Sequence, residues 1–217
     1  MASISRAETL RTFFAKSEAA GSKAPQTLRP LMNYDASAAN AGVDALFICM
    51  SVKDHCDRDS LVTFAPSIPV VADPAAKHAI DGWHHFDRVV EMRAFSDETG
   101  SSWRNTHPGY PLPSWLTVMR LPPASHLQHC IATLWSHKDD DGENEGKGDA
   151  TQHDAIVYSP HGYDTAKPTL SNFANSTPRL RVLGMLHALK DSYAMGINLA
   201  PGVDNGLAMQ RLLDARH

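Results

Sequence analysis

Short apolar runs alternate with polar, turn-forming segments over residues 43–92, and this pattern predicts alternating strands and helices. The runs are short, continuous and rich in β-branched and aromatic residues, as buried strands are. They cover residues 43–51, 68–73 and 86–92. Asp59 opens a short helix, and Asp73-Pro74 opens a longer one, because Asp is a favoured N-cap and Pro is tolerated in the first helical turn. The resulting order predicts helices packed on a largely parallel sheet.

The apolar runs of the second half are joined by shorter connections, which predicts antiparallel pairing. These runs cover residues 115–121, 129–137 and 154–160. Residues 180–191 are interpreted as helical or mixed, and residues 193–200 as a short strand. A final helix is predicted from about Asp204 through Leu213. Without an internal repeat or a clear linker, we expect a single α/β domain over residues 1–217.

Two segments lack the pattern of a buried sheet. Within residues 1–42, the sequence predicts a helix over 5–20 with Phe13 and Phe14 on its apolar face, followed by a loop. Residues 138–154 are acidic and glycine-rich without apolar anchors. This favours a mobile, solvated loop over a calcium site, because the spaced ligands and closing Glu of an EF-hand loop are missing.

Composition then excludes several classes of protein. Hydrophobic residues make up 42% of the 217 positions and charged residues 20%, which is typical of a soluble globular chain. The net charge of -4 and the absence of a basic run argue against nucleic-acid binding. No stretch approaches the ~20 apolar residues of a membrane span, and the N-terminus lacks the apolar core of a secretory signal. Three cysteines fit reduced thiols in the cytoplasm better than a disulfide framework.

Twelve histidines direct attention to metal chemistry. Asp54-His55 follows the first predicted strand, at the carboxyl end where ligand sites of α/β sheets gather. This pair suits a metal site or an acid–base pair, but it equally suits a capped turn with a surface histidine. His126 and His129 lie three residues apart, and His161 lies in a Pro-Gly turn after a predicted strand. No G-x-S-x-G, P-loop or G-x-G-x-x-G motif is present, which argues against a serine nucleophile and a nucleotide site.

In their order, the segments resemble the metallo-β-lactamase fold superfamily, in particular its lactonase-like and phosphodiesterase-like hydrolases. The likeness covers about residues 43–216 and rests on VDALFICMSVKDHCDRDSL, IPVVADPAAKHAI, FDRVVEM, PPASH, DAIVYSPHGYD and INLAPGVDNGLAMQRLL, the last similar to fungal members. It implies an αββα sandwich of mixed sheets with flanking helices. It also implies a hydrolase in which two metals share roughly five histidines and two carboxylates and hold a bridging hydroxide.

The resemblance also implies a degenerate metal motif. Asp54 and His55 match the end of the family motif H-x-H-x-D-H, and His126 matches the histidine of its third motif. Met50 and Val52 stand where the first two histidines belong, and neither a thioether nor an alkyl group replaces an imidazole as a ligand. The opening β-hairpins and the closing histidine of the family have no counterpart, so the fold looks shortened at both ends.

Two functions therefore stay open. The first is hydrolysis of an ester, lactone or phosphoester at one weakly held zinc or other divalent metal. Its ligands are Asp54, His55 and either His126 or His161, with Asp54 as a ligand or as the base that orients water.

The second function is a non-catalytic scaffold, without metal, that binds a small molecule or a partner chain in a cleft lined by Met50, Val52 and the turn 158–164. Fungal secondary metabolism is one setting that the resemblance allows. Because missing outer strands expose a sheet edge, we also expect either a homodimer or cover from the predicted helix 5–20.

Overall fold

The computed structural model describes residues 43–96, 98, 101–122, 128–136, 153–194 and 197–214. One compact unit extends from Ala45 to His217. The predicted helix 5–20, the candidate ligand His126 and residues 138–152 of the predicted acidic loop lie outside the described residues.

The first sheet is parallel and three-stranded, with β1, β2 and β3 in that order. Its strands and the helices that connect them are β1 (Leu46–Ile48), α1 (Arg58–Leu61), β2 (Val70–Ala72), α2 (Pro74–Asp81) and β3 (Val89–Glu91). Helix α2 begins where the sequence predicts, because Asp73 Oδ1 accepts a hydrogen bond from the N–H of Ala75 and Pro74 occupies the first helical position. The predicted alternation and the parallel pairing are both confirmed.

The second sheet has four strands in the order β4-β5-β6-β7. They are β4 (Leu116–Leu121), β5 (Cys130–Ser136), β6 (His153–Ser159) and β7 (Leu180–His187). The first three strands pair antiparallel, as predicted, whereas β6 and β7 pair parallel. Residues 180–187, which the sequence predicts as helical or mixed, form a strand. Strand β6 begins at His153, so the last two residues of the segment 138–154 are buried strand residues.

The remaining elements connect and cover this sheet. They are a 3-10 helix (Trp103–Thr106), helix α3 (Thr169–Ala174), the antiparallel strands β8 (Ser192–Ala194) and β9 (Ile197–Ala200), and helix α4 (Val203–Leu213). The final helix is therefore confirmed, and the strand predicted over 193–200 is a pair of strands. Among the described helices, none is long and apolar enough to cross a membrane.

Three apolar clusters hold the two sheets and their helices. Val70 and Ala72 pack against Ile80 of α2 on one face of the first sheet. The opposite face carries Met50 and Val71, which belong to one cluster with Val118 and Ile131 of the second sheet. The far face of the second sheet packs against α3 and α4 through Phe173 and Met209. The α/β class with mixed sheets is confirmed.

Candidate metal centre

Asp54 and His55 lie in a tight turn directly after β1. The N–H groups of His55 and Cys56 both donate to the carbonyl of Val52, at 2.9 and 2.8 Å. Helix α1 starts immediately afterwards, with Asp57 as its N-cap. The turn leaves the Asp54 side chain 68% exposed and holds the His55 imidazole inward, with 10% of its side chain exposed.

His161 lies in the turn after β6, and helix α4 holds this turn in place. Gly162 has a φ of +80°, and a Cβ there would lie 2.7 Å from Pro201 and 2.9 Å from Asn205, so glycine is required. The Asn205 side chain accepts the N–H of Tyr163 at 3.1 Å and donates to its carbonyl at 2.9 Å. The position of His161 therefore depends on contacts between its own turn and α4.

The two turns bring three candidate ligands together. Nε2 of His55 lies 3.4 Å from Nε2 of His161 and 3.6 Å from Oδ2 of Asp54. The rings meet edge to face with their centroids 5.0 Å apart, and the three ligand atoms all lie within 4.8 Å of one another. Three of the four residues that the sequence suggests as ligands are thus clustered, and the fourth, His126, is outside the described residues.

The separation of the two histidine nitrogens matches that around a tetrahedral zinc ion. Zinc binds imidazole nitrogen at about 2.0–2.1 Å, so two nitrogens bound at tetrahedral angles are about 3.3–3.4 Å apart. The separation of 3.4 Å between the two Nε2 atoms agrees with this, and is longer than the about 2.9–3.0 Å usual for an N–H hydrogen bond. The carboxylate at 3.6 Å would supply a third ligand atom, and it is exposed to solvent.

Cys49 contacts the other side of the His55 ring. Its Sγ lies 4.0 Å from Nδ1, and the residue is only 4% exposed. If Nδ1 carries the proton and donates it to the sulfur, the lone pair of Nε2 faces His161 and Asp54. Outer partners orient metal-binding histidines in this way. The spacing of Cys49, His55 and Cys56 does not match a zinc knuckle, and no spacing rule connects a cysteine at the end of a strand to the ring of a histidine in the following turn.

The other two cysteines are not metal ligands in this arrangement. Burial raises the pKa of the Cys130 thiol, and the neighbouring Cys49 raises it further. Burial also raises the pKa of Cys56, with an added contribution from the charge of Asp57. Both thiols are therefore protonated at neutral pH, whereas a metal ligand or nucleophile must be a thiolate.

Met50 and Val52 are core residues rather than parts of the site. Met50 is 1% exposed and belongs to the same apolar cluster as Val118 and Ile131, and Val52 packs against that cluster. These are the two positions at which the resemblance expects histidines. Among the described residues, the ligands therefore suffice for one metal ion.

A second polar group lies at the same edge of the first sheet. Asp73, whose N–H donates to the carbonyl of Ile48, has its Oδ2 4.0 Å from Nε of Arg120 and 4.0 Å from Nδ1 of His129. Nε of Arg120 is buried without a hydrogen-bond partner in the described part of the chain. His129 therefore belongs to this group and not to the three ligands around His55.

A serine–histidine pair elsewhere in the molecule lacks the arrangement of a nucleophile. Oγ of Ser136 lies 2.9 Å from Nδ1 of His153, while a guanidinium nitrogen of Arg104 lies 3.0 Å from Nε2. Because arginine only donates, Nε2 accepts and Nδ1 carries the proton. His153 therefore donates to Ser136 and cannot activate it as a base.

The chain was also compared with known proteins. No protein-family model matches the sequence, and neither a curated protein nor a solved structure matches it.

Proposed function

We propose that the chain binds one divalent cation, best zinc, through Asp54, His55 and His161, and with it hydrolyses an ester, lactone or phosphoester. The distance of 3.4 Å between the two histidine Nε2 atoms, with the Asp54 carboxylate at 3.6 Å, carries this proposal. Three protein ligands with one open position are typical of catalytic zinc, whereas structural zinc has four protein ligands.

Each residue of the proposed site has its own role. A bound zinc lowers the pKa of its water to near neutrality and polarises the oxygen of the substrate. His55 and His161 bind with their Nε2 atoms, and Cys49 orients the His55 ring. The exposed Asp54 carboxylate lies on the solvent side, where it acts as the third ligand or accepts the proton of the attacking water. Substrate therefore approaches from the side of Asp54.

We also propose that the chain is an eroded member of the metallo-β-lactamase fold superfamily. Two packed sheets, with α2 on the outer face of the first and with α3 and α4 on the outer face of the second, support the αββα sandwich. The burial of Met50 and the packing of the partly buried Val52 against the same cluster support the loss of one of the two family metals.

A non-catalytic scaffold is the second candidate function, and the same apolar packing of Met50 and Val52 favours it. Without the second set of ligands, the bridging hydroxide of a two-metal hydrolase has no place to form. In this case the turn 158–164 would bind a small molecule or a partner chain.

Metal analysis of the purified chain distinguishes the two functions. We expect about one zinc per chain. Asp54→Ala and His161→Ala should each lower the zinc affinity by more than the loss of an outer partner of a ligand does, which is about 10–100-fold. His78→Ala is the matched control, because His78 is an exposed histidine on α2. Iron and manganese are measured alongside.

Activity is then assayed on p-nitrophenyl acetate, a simple lactone and bis-p-nitrophenyl phosphate. Hydrolysis of one of them that falls in the two ligand variants but not in His78→Ala supports the enzyme. Zinc binding without hydrolysis of any of the three substrates contradicts the hydrolase but not the metal site. A chain that binds none of the three metals and whose melting temperature ignores added zinc contradicts the metal site itself and favours the metal-free scaffold.

A further inference from the structure

Helix α4 exposes apolar side chains on the side that faces away from the second sheet. Met209 and Leu213 are buried against the sheet, whereas Val203 is 47% exposed and Leu207 44% exposed. Val203 and Leu207 are four residues apart, so they lie one above the other on the same face of the helix. The outer face of α4 is therefore not the polar surface expected of a solvated helix.

A further exposed leucine lies beside this face. Leu189 is 78% exposed. The end of β7 touches the helix, since a Cβ at Gly206 would lie 3.1 Å from Nδ1 of His187. A Cβ at Gly202 would similarly lie 3.0 Å from the carbonyl of Leu189. Leu189 therefore lies at the start of α4 and extends its apolar face, and contiguous apolar surface of this kind marks interaction sites.

The charges on the same face have a two-fold pattern. Asp204 lies in the first turn of α4 and Arg211 in the last, and both are exposed. Because they are seven residues apart, about two helical turns, they lie on the same side of the helix as Leu207 and about 10 Å from each other. The point midway between them lies beside Leu207, so opposite charges stand at equal distances from an apolar centre.

We propose that α4 packs antiparallel against α4 of a second copy of this chain, about a two-fold axis beside Leu207. The axis places Leu207 against its own counterpart and Asp204 opposite Arg211 of the second copy, at both ends of the contact. An interface of this type must be self-complementary, and the outer face of α4 meets that requirement. The proposal does not rest on the metal site or on hydrolysis.

The size of this surface determines the expected affinity of the dimer. Helix α4 is about 16 Å long, which is short for the about 1,200–2,000 Å² of a stable interface. Leu189 adds to the contact at the start of the helix. We therefore expect a dimer in the micromolar range that dissociates on dilution.

Sedimentation velocity of the full chain over a wide range of concentrations tests the proposal. The mass should rise from 23.7 kDa toward the dimer, and Leu207→Lys should abolish the rise. Tyr110→Lys is the control, because Tyr110 is 74% exposed but lies outside this surface. Circular dichroism checks that both variants are folded.

Charge reversal identifies the partner as a second copy in this orientation. Asp204→Arg alone and Arg211→Asp alone should each weaken the dimer about tenfold, because each replaces two attractive pairs with repulsive ones. The double variant should restore most of the affinity, as expected for coupled pairs. A monomer at every concentration, a dimer indifferent to Leu207→Lys, or a double variant as weak as the single ones would each overturn the proposal.

Discussion

His55 is the residue on which the candidate centre depends most, since its two ring nitrogens face different groups. Nε2 lies near both His161 and Asp54, while Nδ1 lies 4.0 Å from Cys49 Sγ. Which nitrogen of a neutral imidazole carries the proton is decided by the hydrogen bond that this nitrogen makes. A metal bound at Nε2 requires the proton on Nδ1, where the Cys49 sulfur can accept it.

Removing the sulfur should weaken metal binding without removing a ligand. We expect Cys49→Ala to lower the zinc affinity by about 10–100-fold, the usual cost of losing an outer partner of a metal ligand. Cys49→Ser keeps an acceptor beside Nδ1 and should retain most of the affinity. Competition with a chromophoric chelator measures both values. Equal losses in the two variants would mean that Cys49 acts by packing alone.

Each of the two ligand-bearing turns is held by a different helix. Hydrogen bonds from the hydroxyl and the N–H of Ser60 hold the pKa of Asp57 below its ordinary value, so the cap of α1 stays charged beside the turn of Asp54. The turn of His161 depends instead on the Asn205 side chain of α4, which bonds both backbone groups of Tyr163.

Asn205 is therefore expected to be a positioning residue for His161. Asn205→Leu removes both bonds to Tyr163 and should cost about 1–3 kcal/mol of stability, together with a loss of zinc affinity. The visible absorption of bound cobalt reports the change in ligand geometry. The control is Trp103→Phe, which loses a hydrogen bond of similar length, 2.7 Å, to the Pro178 carbonyl. A parallel loss of affinity in Trp103→Phe would mean that stability alone explains the effect.

An element whose local sequence signals all agree could be predicted from the sequence. An element that depends on pairing with a strand distant in the sequence could not. Helix α2 has its Asp73 cap, Pro74 and apolar spacing in one stretch, and it forms where these signals place it. The segment 180–191, which contains β7, carries leucines three residues apart at 180, 183, 186 and 189 as well as the alternating pair Leu180 and Val182. Helix and strand therefore fit the sequence equally well, and parallel pairing with β6 selects the strand.

The same distinction holds for the candidate site. Asp54, His55 and His161 could be suggested because each directly follows a strand, where ligand sites of α/β sheets gather. The sequence separation between a candidate ligand and the residues that hold its turn does not predict their contact, since Asn205 lies 42 residues beyond Tyr163. Such contacts exist only once α4 has packed on the second sheet.

At the scale of the whole molecule, the three candidate ligands come from both sheets. Asp54 and His55 follow β1 of the first sheet, and His161 follows β6 of the second. Behind them, the sheets share the apolar cluster that contains Met50 and Val118. A metal bound by all three residues is a cross-link between the sheets. Because the ligands meet only in the folded chain, its binding free energy adds to the free energy of unfolding.

Zinc should therefore raise the melting temperature of the chain. At a free concentration 100 times the dissociation constant the gain is about 2.7 kcal/mol, which corresponds to about 5–10 °C for a domain of this size. A chelator should remove the gain, and acidification should reduce it because protonated imidazoles do not bind. Magnesium, which prefers oxygen ligands, should have little effect. Calorimetry of wild type, His55→Ala and the control His78→Ala measures the shift, and a gain that survives in His55→Ala would mean that zinc binds at another site.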